Sequence, residues 1–233
     1  MNPPLDGLLL VDKPVGWTSH DVVAMVRGRL PKGHKVGHAG TLDPAATGLL
    51  MLLLGAYTRQ ASALLGLPKV YSGALRFGVE TDTGDMEGRA VKELPPPSLD
   101  EESLRRIFAS LTGEVELPVP AYSAVKHQGR PLYEYARKGQ AVPVKSRSSL
   151  IESFELLAWR TPQADFRVRC SSGTYVRALA CAVGTAAGSC AVLCALRRES
   201  IGPYSLGEAR PVEPLRAMKA EDISLLLQPI RAA

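Results

Sequence analysis

The most constraining feature of the sequence is a glycine-rich stretch, Gly-His-Ala-Gly-Thr-Leu-Asp-Pro-Ala-Ala-Thr-Gly, at residues 37–48. Its glycines permit backbone conformations and close approaches that other residues resist. Pro44 fixes the backbone directly after Asp43 and biases Asp43 itself towards an extended conformation. The stretch therefore predicts a rigid, tightly turned loop that presents one carboxylate.

The residue types of this loop suggest several kinds of site. A phosphate-binding P-loop is excluded because no Gly-Lys-Ser/Thr follows the glycines. A metal site would use His34, His38 and Asp43, but these histidines lie in a glycine-broken loop rather than on one face of a helix, which disfavours it. A structural turn, in which Asp43 accepts backbone hydrogen bonds, and a catalytic carboxylate for glycosyl chemistry both stay open from the residues alone.

The composition suits a polyanionic partner without requiring one. The chain of 233 residues fits one large domain or two small ones. It has 28 Lys and Arg against 23 Asp and Glu, which leaves a net charge of +5, and its pI is about 9.1. A moderately basic surface suits RNA, but this charge is equally compatible with a protein that binds no nucleic acid.

Apolar runs and cysteine spacing indicate a cytoplasmic protein. The most apolar run, residues 49–54, is far shorter than the ~20 residues of a membrane-spanning helix. The N-terminus lacks the basic and apolar regions of a signal peptide. The four cysteines lack the spacing of zinc sites, so we expect them to be small buried side chains in a reducing compartment. We therefore expect no membrane association and no metal.

Hydrophobic periodicity predicts a mixture of strands and helices. Ser19 is expected to cap a helix that runs to Leu30, and Ser98 with Glu101 forms a predicted capping box for a helix that ends at Gly113. Further helices are predicted at residues 58–65, 132–138 and 174–187, and strands at residues 7–11, 49–54, 69–79, 149–159, 165–170 and 190–201. These elements follow no regular βαβ rhythm, so we expect an α+β fold with a largely antiparallel sheet.

The loop at residues 37–48 resembles the signature of the bacterial tRNA pseudouridine synthases of the TruB family, which modify the uridine at position 55 in the T-loop. Other segments resemble further motifs of this family, in the expected order: residues 9–14, 69–71, 81–85, 122–126, 132–137, 173–177 and 196–198. The resemblance extends to about Ala209. It is far more specific than a lone glycine pattern.

The resemblance implies a pseudouridine-synthase fold, in which helices flank a mixed, mostly antiparallel sheet. It places the catalytic domain at residues 1–208, with an inserted RNA-gripping thumb at about 118–147. Basic residues alternate with tyrosines in that thumb, a pattern that suits phosphates and stacked bases. Residues 209–233 are expected to form a short helical tail, too short for the PUA-type RNA-binding module that many family members carry.

The family's chemistry implies an isomerisation that needs no cofactor and no metal. Asp43 aligns with the catalytic aspartate, and Arg177 aligns with the cation that keeps this carboxylate ionised in a water-poor pocket. Tyr71 and Tyr175 align with residues that pack on the target base, and the phenol of Tyr71 can also exchange a proton.

The resemblance also implies supporting residues around this centre. His38 matches a histidine that occupies the space vacated by flipped-out bases, and Leu196 aligns with an apolar residue that contacts the substrate. Lys13 and Pro14 are expected to buttress the catalytic loop, and Lys126 is expected to support RNA binding from the thumb.

The expected partner is the T-arm of tRNA, from which the enzyme must extrude the buried uridine. We expect a monomer that requires no guide RNA and no protein partner. Three other functions stay open: a guide-RNA-dependent relative, an RNA chaperone that only refolds tRNA, and an N-glycosylase whose second carboxylate would be Asp82 or Asp85.

Overall fold

The computed structural model describes residues 5–140, 142 and 145–231. These residues form two compact units. The first contains the chain up to Tyr71 together with the chain from Leu196 onwards, and the second contains Ser72–Ala195. Residues 141, 143 and 144 of the expected thumb and the last two residues of the expected tail lie outside the described residues. The single catalytic domain, the thumb and the tail stay predictions.

The described residues form the following elements. The strands are β1 (Gly7–Lys13), β2 (Val36–His38), β3 (Thr47–Leu54), β4 (Lys69–Phe77), β5 (Val79–Thr81), β6 (Ala90–Glu93), β7 (Gly113–Pro118), β8 (Lys126–His127), β9 (Arg130–Pro131), β10 (Ser146–Arg160), β11 (Gln163–Cys170), β12 (Ala191–Ile201), β13 (Tyr204–Ser205) and β14 (Arg210–Pro211). The α-helices are α1 (Ser19–Arg27), α2 (Ala61–Leu65), α3 (Glu101–Ser110), α4 (Leu132–Arg137), α5 (Val176–Ala186), α6 (Val212–Ala217) and α7 (Ala220–Ser224), and short 3-10 helices lie at Gly55–Gln60 and Leu206–Glu208.

The first unit is built on the antiparallel pair β1 and β3. β2 runs antiparallel to β3, β12 runs parallel to β3, and β14 runs parallel to β1. The apolar run of β3 is buried on both faces: Leu50 and Leu52 pack in one cluster with α1, α6 and α7, and Leu49 and Met51 pack in another with α2. A strand that alternates its side chains between two cores must be apolar throughout.

In the second unit the strand order is β4–β11–β10–β7. Both β11 and β7 run antiparallel to the long strand β10. The core includes the ring of Phe108 on α3, whose centroid lies 4.3 Å from that of Phe154. The ring of Phe166 on β11 lies so close to β4 that a Cβ atom on Gly73 would be 2.7 Å from it.

The structure confirms the expected fold, a mostly antiparallel sheet flanked by helices. The predicted caps of two helices were wrong. Thr18 caps α1 because its hydroxyl and the carboxylate of Asp21 form a reciprocal capping box one residue earlier than predicted. Asp100 caps α3 by accepting a hydrogen bond from the amide of Ser103. None of the described helices is long and apolar enough to cross a membrane.

We expect Leu50→Ala to destabilise the fold by about 2–5 kcal/mol, because it removes a fully buried side chain from β3 and leaves a cavity. Urea denaturation followed by circular dichroism measures this change. The matched control is Leu225→Ala, because Leu225 is 82% exposed. Equal losses of unfolding free energy in the two variants would contradict the burial of β3 on both of its faces.

Candidate active site

The glycine-rich loop connects β2 to β3 in the first unit. His38 ends β2 opposite Leu52, and the amide of Ala39 donates a hydrogen bond to the carbonyl oxygen of Met51 at 3.0 Å. Gly40 and Gly48 have φ values of +96° and +99°, in the left-handed region that favours glycine. The two ends of the loop are therefore fixed by strand pairing and by backbone turns.

Asp43 is half-buried near the middle of this loop. Its carbonyl oxygen accepts a hydrogen bond from the amide of Ala46 at 3.1 Å, which closes a tight turn. The preceding residue, Leu42, is held by Ser19 on α1, whose hydroxyl oxygen accepts from the Leu42 amide at 2.9 Å and donates to its carbonyl at 3.2 Å. The sequence had suggested Ser19 as a helix cap, and its actual contact anchors the residue next to Asp43.

Lys13 holds the residue on the other side of Asp43. Its buried Nζ donates hydrogen bonds to the carbonyl oxygens of Trp17 at 2.6 Å and Pro14 at 3.0 Å, and to that of Pro44 at 3.3 Å. The amide of Gly16 donates to the same Pro44 carbonyl at 2.9 Å. The end of β1 therefore contacts the glycine-rich loop directly, and the supporting role of Lys13 in catalysis stays a prediction.

The C-terminal half of β12 brings a second buried cation to the loop. Arg198 is 1% exposed, and its guanidinium donates to the carbonyl oxygens of Leu49 at 2.7 Å and Gly40 at 2.9 Å. The motif at residues 196–198 was recognised in the sequence, but no role was assigned to Arg198. No local signal in the sequence pointed to these contacts, because both partners are backbone atoms far away along the chain.

Leu196 and Arg197 also face this end of β3. The carbonyl oxygen of the half-buried Leu196 accepts from the hydroxyl of Thr47 at 3.4 Å. Arg197 donates to the same hydroxyl at 3.3 Å and forms an ion pair of 2.7 Å with Asp12. These contacts connect β1, β3 and β12 beside the loop.

His38 is largely withdrawn from water. Its Nδ1 atom is buried without a hydrogen-bond partner among the described residues. Burial lowers the pKa of His38 from its ordinary value of 6.5, and the charges of Arg198 and His20 lower this pKa further. The imidazole is therefore neutral at neutral pH.

The second unit holds Arg177 and Tyr175 at the start of α5. The guanidinium of Arg177 is buried and donates to the carbonyl oxygens of Thr83 at 2.6 Å and Tyr122 at 2.8 Å. Its Nε lies 3.8 Å from a carboxylate oxygen of Asp85. The motif at residues 81–85 thus surrounds Arg177, and several contacts determine the orientation of this guanidinium.

The remaining predicted residues are placed as follows. Tyr71 is buried on β4, Tyr175 is half-buried directly before α5, and Lys126 is exposed on β8. Asp43 and Arg177 belong to different units, and their pairing stays a prediction. Within the part of the chain that the structure describes, no group of three or more His, Cys, Asp or Glu residues could hold a metal ion, so His34, His38 and Asp43 do not form one.

Comparison with known proteins shows the family of the chain. Residues 28–176 match the model of the TruB family pseudouridylate synthase, N-terminal domain. A protein of Aromatoleum aromaticum named tRNA pseudouridine synthase B is 46% identical over 228 residues, which cover 98% of this chain and 73% of the relative. A protein of the same name from Bordetella avium is 44% identical over 225 residues, with 96% and 92% covered.

A solved structure shares the fold. One chain of a Cbf5-Nop10-Gar1 complex superposes with a TM-score of 0.73 and 26% identity, covering 97% of this chain. The match spans 60% of the length of that other chain. The shared fold and the sequence relatives together show that the chain is a pseudouridine synthase, which is an isomerase. The chain belongs to the TruB family of pseudouridylate synthases.

The lowered pKa of His38 predicts a pH dependence of stability. Between the folded-state pKa and 6.5 the unfolded chain binds more protons than the folded chain, so the free energy of unfolding falls as the pH drops below 6.5. The His38→Gln variant should lack the share of this decrease in unfolding free energy that comes from the titration of His38. Urea denaturation of both proteins between about pH 7 and pH 5 measures the difference. Parallel curves for the two proteins would show that His38 titrates normally.

Proposed function

We propose that this enzyme converts uridine 55 in the T-loop of tRNA to pseudouridine. Its membership of the TruB family and relatives named tRNA pseudouridine synthase B support this substrate, and a pI of about 9.1 suits a polyanion. The reaction breaks the N-glycosidic bond, turns the base and joins C5 to the ribose, while C5 loses a proton and N1 gains one. Because nothing is oxidised and no group is lost, the proposed mechanism uses no cofactor.

The observation that carries this proposal is the way the loop presents Asp43. Ser19 holds the residue before it and Lys13 holds the residue after it, both through backbone atoms. The carboxylate can attack the ribose, add to the base or remove a ribose proton, and each route needs an ionised carboxylate close to the sugar. A backbone held on both sides keeps this carboxylate in a reactive position before the substrate arrives.

Arg177 is the proposed counter-ion of Asp43 during the reaction. A carboxylate that is transferred from water into a closed site requires a nearby cation to stay ionised. The hydrogen bonds of Arg177 to Thr83 and Tyr122 hold its guanidinium in a fixed orientation, which reduces the reorganisation required in the transition state. Tyr71 and Tyr175 would stack on the uracil, and the phenol of Tyr71 would exchange a proton.

The other predicted residues would bind RNA around the extruded uridine. A neutral, half-buried imidazole suits His38 for occupying the space left by flipped-out bases, because it brings no charge to that space. Leu196 would contact the substrate, and Lys13 and Pro14 would support the loop. Lys126 would contribute from the thumb at about residues 118–147, where charges and tyrosines suit phosphates and bases.

We further propose that the enzyme acts alone, as a cytoplasmic monomer that needs neither guide RNA nor a protein partner. The Cbf5 structure that shares its fold is a complex with Nop10 and Gar1. The relatives that are 44–46% identical have names that include no such partner. The assay below uses the protein by itself and therefore tests this proposal too.

Purified protein incubated with an unmodified tRNA transcript should produce pseudouridine at position 55. Chemical mapping of pseudouridine along the transcript identifies the position. Conversion elsewhere, or only after addition of a guide RNA, would contradict the proposal. Release of free uracil would indicate an N-glycosylase, and refolding of the tRNA without any conversion would indicate a chaperone.

Asp43→Asn should abolish turnover while leaving tRNA binding unchanged, because it removes the charge and preserves the shape of the side chain. Single-turnover kinetics and filter binding measure the two properties. Asp165→Asn is the matched control, since Asp165 forms a surface ion pair with Arg160 and should have wild-type activity. Turnover in Asp43→Asn would remove Asp43 from the proposed role.

A further inference from the structure

Arg198 lies where the catalytic loop joins β3, and it contacts the loop in two ways. Its backbone pairs with Gly48, the last residue of the loop, in the parallel pairing of β12 with β3. Its side chain is almost completely buried and donates a hydrogen bond to the carbonyl oxygen of Gly40, near the other end of the loop. A single residue therefore touches both ends of the segment that carries Asp43.

The side chain of Arg198 acts as a bridge between two backbone carbonyl groups. Nε donates to Leu49 at 2.7 Å and Nη2 donates to Gly40 at 2.9 Å, and these two nitrogens belong to one edge of the planar guanidinium. One carbonyl precedes Asp43 and the other follows it. Because the geometry of the guanidinium is rigid, the two hydrogen bonds fix the separation of the two loop ends.

The two glycines explain how the loop closes so tightly around Arg198. A Cβ atom on Gly48 would lie 2.4 Å from the carbonyl oxygen of Arg198, and one on Gly40 would lie 3.3 Å from its Nη1. Both glycines also have left-handed backbone conformations. The glycine spacing of the loop and the arginine of β12 are therefore parts of one arrangement.

We propose that Arg198 is a positioning residue for the reaction: by bridging Gly40 and Leu49 it sets the position of Asp43 without touching the substrate. This inference rests on the proposed role of Asp43. It assigns to Arg198 a function in the rate of the chemical step, separate from RNA binding. Lysine cannot replace it, because an ammonium group retains the charge but loses the planar edge that reaches both carbonyl groups.

The test is Arg198→Lys, assayed for kcat and KM with the tRNA transcript. We expect kcat to fall by about 100-fold, the order of loss produced by a small displacement of a reacting group, while KM changes little. Hydrogen exchange provides a structural readout. The amides of Ala39, Leu42 and Ala46 are hydrogen-bonded in the loop and should exchange faster, while the amides of β1 should not.

Two further variants separate positioning from general loss of stability. Leu104→Ala removes a fully buried side chain from the second unit, and should lower the melting temperature without changing kcat below that temperature. Gly40→Ala retains Arg198 but strains the loop against its guanidinium, so it should lower kcat as Arg198→Lys does. Gly40→Ala decides the question if Arg198→Lys does not fold.

The outcomes also separate this inference from the proposed function. If Asp43→Asn is inactive and folded Arg198→Lys keeps kcat within about a factor of three of the unaltered enzyme, the positioning role is wrong and the role of Asp43 stands. The same conclusion follows if Arg198→Lys does not fold and Gly40→Ala keeps full kcat. If Asp43→Asn is active, the proposed function itself fails. A lower kcat with unchanged loop exchange would also overturn the inference.

Discussion

Seven consecutive residue pairs join β1 to β3, from Gly7 opposite Leu54 to Lys13 opposite Gly48, and the arrangement of the candidate active site depends on this ladder. Its apolar side chains are buried on both faces, so a shift of one residue would exchange the two cores. Burial on both faces therefore fixes the register of β1 against β3. Because Lys13 ends the ladder, its ammonium group reaches the turn at Pro44 that follows Asp43.

Two buried cations lie beneath the loop, and hydrogen bonds to backbone carbonyl groups compensate for their burial. Lys13 contacts three carbonyl oxygens and Arg198 contacts two. A buried charge is costly without such partners, and hydrogen bonds to charged groups are each worth about 1.5–3 kcal/mol. The conformation of the loop is consequently tied to the stability of the first unit. A rigid support of this kind suits a site where one carboxylate must meet a sugar accurately.

Much of the fold could be predicted from local patterns. The strand that contains Leu49–Leu54 followed from a short apolar run between glycines, and a helix predicted at residues 174–187 is present as α5. The cap of α1 was harder to predict, since Thr18 and Ser19 are both good capping residues, and the structure decides between them through the reciprocal hydrogen bonds of Thr18 and Asp21. The predicted catalytic role of Asp43 came from the likeness of a whole motif, because an isolated Asp-Pro is equally compatible with a structural turn.

The sequence by itself determined the family, the α+β class of the fold and the loop that presents Asp43, because these depend on contiguous residues whose types and spacing are visible in the chain. Only the tertiary structure decided what holds that loop. Ser19 contacts a residue 23 positions away, and Arg198 contacts residues 149 and 158 positions away. Their partners are backbone atoms, which every residue possesses. The sequence therefore contains no local signal of these contacts, and only folding brings the atoms within hydrogen-bond distance.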